Sequence, residues 1–105
     1  MKKIFLFISL LSTVTIGHAS LCDDAEKAYL NRLDNQEARR ALEMYEKLAS
    51  TGSECPEAHL KAAKSAWWVA DHSTSKKEKM AIFQKGIDLS KEAVRLNPQS
   101  TAAHF

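Results

Sequence analysis

Downstream of residue 33 the apolar residues recur three and four apart with little to interrupt them, and that spacing leaves few folds open. Asp34-Asn35-Gln36-Glu37 offers a capping box, and Ala38, Ala41, Leu42, Tyr45, Leu48 and Ala49 follow on one helical face. Thr51-Gly52-Ser53 closes the segment. The 105 residues contain only three glycines and two prolines, and no run of β-branched residues follows the first twenty positions. The chain beyond its leader is therefore expected to be all-helical.

Caps and spacing divide the rest into further helices. Asp23 to Leu33 reads as a short one with Ala25, Ala28, Tyr29 and Leu33 on one side. Pro56 suits a first helical position, and Ala58, Ala62, Ala63, Ala66, Trp67 and Ala70 then form one broad stripe that allows close helix approach. Asp71-His72-Ser73-Thr74 interrupts it, and Ser75 with Glu78 offers a second capping box. The fourth helix runs to about Leu96 and carries two adjoining stripes. Met80, Phe83, Ile87 and Val94 make one; Ile82, Gly86, Leu89, Ala93 and Leu96 make the other. Two stripes predict neighbours on both sides. Gly86 inside a helix costs about 1 kcal/mol relative to Ala, which implies a neighbour packed where a side chain would not fit.

The first residues read differently. Met1-Lys2-Lys3, the apolar stretch Ile4 to Ile16 and the small-residue exit Gly17-His18-Ala19 make a secretory signal peptide over residues 1–19, leaving residues 20–105 as the domain. The apolar stretch is short for a membrane span. Leu21 before Cys22 argues against a lipid-modified cysteine, so an exported, periplasmic protein is expected rather than a lipoprotein or membrane-anchored one. Losing Lys2 and Lys3 reduces 15 basic residues to 13, against 13 acidic ones. A neutral mature chain gives no support for nucleic-acid binding. Cys22 and Cys55 are the only cysteines, and export makes pairing their default state.

The pattern of helix, turn, helix and loop repeats. Glu57-Ala58-His59-Leu60 after Pro56 matches Ala102-Ala103-His104-Phe105 after Pro98, and Ala41, Tyr45 and Leu48 find counterparts in Gly86, Ser90 and Ala93. These positions resemble a tetratricopeptide repeat, whose second helix carries a small residue, a bulky one and Ala before a closing Pro. The resemblance covers essentially residues 22–105 and is best from Lys76 to Phe105. It is similar to exported bacterial members of the family, including those found with solute transporters, and to the regulator-of-microtubule-dynamics group. The 45-residue spacing of His59 and His104 exceeds the usual repeat of about 34, implying extra residues around 71–80 and a longer fourth helix. Ser90 also stands where a bulky residue is usual.

The resemblance implies antiparallel helical hairpins stacked as an α-solenoid fragment, four helices and the start of a fifth. In such a stack the first helices of successive hairpins lie parallel, so a Cys22–Cys55 bridge would staple their N-termini. It also implies a non-catalytic scaffold that binds a protein or peptide segment through the face of its first helices, with Glu57, Lys61, Lys64 and Trp68 as groove residues. The alternative is an accessory ligand-binding subunit beside a transporter. The residues supply no nucleophile, base and orienter for an enzyme, and no metal or cofactor is implied: His59, His72 and His104 are scattered, and Asp23-Asp24 and Lys76-Lys77-Glu78-Lys79 sit in first helical turns. Thr101 to Phe105 reads as the first turn of a third repeat, which predicts an apolar end on the fourth helix open to self-association or to a partner helix.

Overall fold

A computed structural model describes residues 21–52 and 55–99; residues 1–20 (which include the expected leader), Ser53, Glu54 and the Ser100–Phe105 segment lie outside the described residues. The described residues form four helices and no strand: α1 over 21–30, α2 over Asn35–Ser50, α3 over Ala58–Asp71 and α4 over Lys76–Leu96. The fold is all-α, as expected.

α1 is shorter than its sequence suggests. The Asn31 side chain donates to the Lys27 carbonyl at 2.8 Å, and a turn follows. Ala25 and Ala28 are buried, but Leu33 is thrown outward and is 90 % exposed, so it does not join the apolar side expected of it. α2 starts where its cap places it, with Asp34 Oδ1 accepting from the Gln36 amide at 2.9 Å. The reciprocal half of the box is replaced: the Asp34 amide donates to the Asn31 carbonyl. Gly52 ends this hairpin arm at φ 64, a left-handed position that glycine fills without Cβ strain.

α3 begins two residues later than Pro56 predicts. Glu57 adopts φ 53 and ψ 38, so the chain reverses there and the first helical residue is Ala58. α4 begins at its cap Ser75, whose Oγ accepts from the Glu78 amide, and at 21 residues it is longer than the 16-residue α2. The Glu78 carboxylate does not complete a capping box. It accepts from Ser73 Oγ at 2.7 Å and from Arg39 of α2.

Contacts between helices fix their directions. Ala66 and Val69 late in α3 pack on Ala38 and Leu42 early in α2, and Leu60 early in α3 packs on Ala93 late in α4, so α3 runs antiparallel to both. α1 and α3 run parallel, because Cys22–Cys55, Glu26–Lys61 and Arg32–Trp68 meet in the same order along both. α2 and α4 are parallel too, joined by Arg39–Glu78 and Glu46–Lys85. Two antiparallel hairpins are therefore stacked side by side.

The sequence offset between facing residues is 33 at the disulfide, 36 at Arg32–Trp68 and 39 at both α2–α4 bridges. The extra residues expected near 71–80 thus enter between Trp68 and Glu78, in a connection of only His72 to Ser75. The core they enclose is small-residue rich. Ala25, Tyr45, Leu48, Cys55, Ala58 and Ala62 form one cluster at the disulfide end. Gly86 is buried beneath Trp67 and beside Ala66, which is the close neighbour its helical position implied.

Candidate functional site

At 100° per residue, Lys64 and Asp71 fall seven apart on one edge of α3, and both are exposed. Lys61 and Trp68 lie on the adjoining side, facing α1. Lys61, Lys64 and Trp68 therefore share one flank of α3, whereas Glu57, outside the helix, borders the cleft at its start and does not join them. Lys64 projects from the surface with no hydrogen bond or ion pair among the described residues, and Glu57 stands at the left-handed entry to the helix.

Lys61 is engaged. Its Nζ lies 3.8 Å from Glu26 Oε2, and the same carboxylate oxygen accepts from the Tyr45 hydroxyl at 2.7 Å. One α1 carboxylate thereby joins α1, α2 and α3. Burial, and then the hydrogen bond to Glu26, push the Tyr45 phenol well above its ordinary range.

Trp68 is half-buried and tied into the α1–α2 turn. Its Nε1–H donates to the Arg32 carbonyl at 3.1 Å, and the Arg32 guanidinium lies over two rings, 4.7 Å from the centroid of Trp68 and 4.5 Å from that of Tyr29. The His72 ring stacks on Trp68 at 4.0 Å. His72 Nδ1 lies 2.8 Å from the Trp68 carbonyl, which can only accept, so Nδ1 carries the proton and joins the His72 backbone amide in donating to that carbonyl. Tyr29, Arg32, Trp68 and His72 make one layered cluster. Arg32 and Tyr29 were not legible as partners of Trp68 because their contacts depend on how α1 and its following turn lie against α3, 36 residues further along the chain.

The face thus presents Lys64 free, Lys61 half-neutralised and Arg32 spread over two aromatic rings. Such a row accepts carboxylates while its rings offer an apolar floor. Two cross-hairpin ion pairs brace it from behind: Arg39 holds both oxygens of Glu78, at 2.6 and 3.2 Å, and Lys85 meets Glu46 at 3.3 Å. The Arg39 and Ser73 hydrogen bonds keep the Glu78 carboxyl below the usual carboxylate range.

A separate cleft of about 230 Å³ opens at the other end of α3, among Leu48, Ala49, Leu60, Ala93 and Leu96. Among the described residues no three His, Cys, Asp or Glu side chains gather as a metal group, and no helix is long and apolar enough to cross a membrane.

Compared with known proteins, the chain matches no family model, no curated protein and no solved structure.

Proposed function

We propose that this protein is a non-catalytic scaffold of the tetratricopeptide kind, exported to an oxidising compartment, that binds an acidic peptide segment or protein tail across α1 and α3. The observation that carries this reading is the parallel pairing of α1 and α3, with Lys64 exposed between the Lys61–Glu26 contact and the Trp68–Arg32 layer. A Cys22–Cys55 bond at the head of both helices, with Cα atoms 5.6 Å apart, supports export and holds the two helices in register. Rigid spacing lowers the ordering cost of binding.

The alternative, a transporter-associated subunit holding a small solute, finds less support. The apolar cleft of about 230 Å³ falls short of the roughly 300–1,000 Å³ usual for ligand pockets, and the larger concavities of about 600 and 470 Å³ are more open and lined largely by charged and polar side chains such as Asp24, Arg40, Glu46 and Lys85. The peptide reading is tested by titrating tryptophan fluorescence with a peptide ending in consecutive acidic residues and with its Lys counterpart. Binding should favour the acidic peptide and weaken about tenfold in Lys64→Glu. Equal affinity for both peptides, or no change in Lys64→Glu and Trp68→Phe, would remove the site.

A further inference from the structure

The two apolar stripes of α4 have different fates. Gly86 and Ala93 are buried against α3, Ile82 and Leu89 are half-buried beside them, and Leu96 at the end of this stripe is 55 % exposed. Met80, Phe83 and Ile87, stepped three and four apart, form the outward part of the other stripe, whereas Val94 at its end packs against the Leu60–Ala93 cluster. Met80 is 63 % and Ile87 42 % exposed, Phe83 is half-buried, and among the described residues no helix covers Met80 and Ile87. It is a heptad seam without a partner.

The charges beside the seam indicate what would cover it. Lys77, Gln84 and Lys91 stand seven apart along its outer margin, all exposed. Gln84 bonds Asp88, and the two lysines have no ion pair among the described residues. The other carboxylates of α4 are occupied: Glu78 by Arg39, Glu92 by Arg95. Lys79 is half-buried on the inner margin. An antiparallel two-fold pairing of α4 with a second copy would set Lys77 of one copy against Lys91 of the other, and a parallel pairing would set Lys79 against Gln84 and bring no carboxylate to Lys77 or Lys91. Like charges oppose the first arrangement, and the second leaves both lysines unmatched.

We propose that the outward face of α4 docks an amphipathic helix of another protein, one that lays a Leu- or Ile-bearing seam over Ile87 and carries carboxylates in seven-residue steps opposite Lys77 and Lys91. This surface is distinct from the α1–α3 flank and does not depend on it.

Two synthetic helices, three heptads long with identical apolar seams, one flanked by Glu and the other by Lys, test the proposal by calorimetric titration against the full chain. The Glu-flanked helix should bind about tenfold tighter at low salt, and the gap should close as salt rises. Ile87→Glu should abolish binding, and Lys77→Glu with Lys91→Glu should invert the preference. Both sites are exposed, so circular dichroism and an intact disulfide serve as fold controls. No binding of either helix, equal binding of both, or binding unaffected by Ile87→Glu overturns the proposal. Wild-type self-association abolished by Ile87→Glu would give the face to a second copy. Binding that emerges only after deletion of residues 100–105 would give it to the chain's own C-terminal segment. Either result also overturns it.

Discussion

Gly86 lies so close beneath Trp67 that a methyl group on its Cα would fall 2.3 Å from both Cδ1 and Nε1 of the indole. Cδ1 and Nε1 belong to a rigid ring, which cannot yield the way a flexible chain end would. Gly86→Ala gains about 1 kcal/mol of helix propensity but incurs an overpacking cost of about 1–3 kcal/mol. Net destabilisation is expected, read as a lower urea midpoint together with a shifted tryptophan emission. A more stable variant with unchanged emission would show that the contact is loose.

The disulfide closes a loop whose ends are 33 residues apart. Removing it should cost about 3–4 kcal/mol on the chain-entropy account, a large share of the stability of so small a domain. Urea unfolding of the oxidised chain and of Cys22→Ser/Cys55→Ser measures the difference directly.

Ser65 is buried at 1 % exposure and its hydroxyl has no hydrogen-bond partner among the described residues. Leaving a hydroxyl buried and unpaired costs about 1–3 kcal/mol, and Ala is also the better helix former. Ser65→Ala should therefore stabilise the protein by about 1 kcal/mol or more. Destabilisation would reveal a partner for that hydroxyl.

Tyr45→Phe keeps the ring in the core and deletes only the hydroxyl that donates to Glu26. A loss of about 0.5–1.5 kcal/mol is expected, and Lys61 should remain paired. A double-mutant cycle with Glu26→Gln isolates the hydrogen bond from the packing.

Glu78 carries an acid-side pH dependence. Its folded carboxyl titrates below the ordinary range because Arg39 and Ser73 bond its charged form. The contribution is therefore fully present above the unfolded value, near pH 4, and disappears as pH falls through the lower folded value. Melting temperatures of wild type and Glu78→Gln should differ at neutral pH and converge in acid. Parallel curves would place the dependence elsewhere.

Much of this architecture was legible from local chemistry. Asp34, Ser75 and Gly52 mark helix boundaries because their side chains, or the lack of one, act on adjacent backbone. Gly86 betrayed a close neighbour because glycine is costly in a helix, although the sequence could not say that the neighbour was Trp67. The entry to α3 was misread for a tertiary reason. Cys55 is bonded to α1, and the chain reaches the helix axis from there through a left-handed Glu57 rather than through Pro56. The candidate site was half legible. Lys64 and Trp68 follow from spacing along one helix, whereas the Glu26, Tyr29 and Arg32 contacts depend on how α1 lies against α3.

The Cys22–Cys55 bond makes a covalent ring that contains α2 entire and grips the start of α3. α3 and α4 both follow the ring, and α4 is the described helix farthest along the chain from it. It can lift away through sub-global opening without straining the covalent constraint. Amide hydrogens of α4 should then exchange ahead of those in α2, and reduction of the bond should erase that hierarchy. A protein built this way keeps its first hairpin closed while its last helix samples release, at the edge where a partner would arrive.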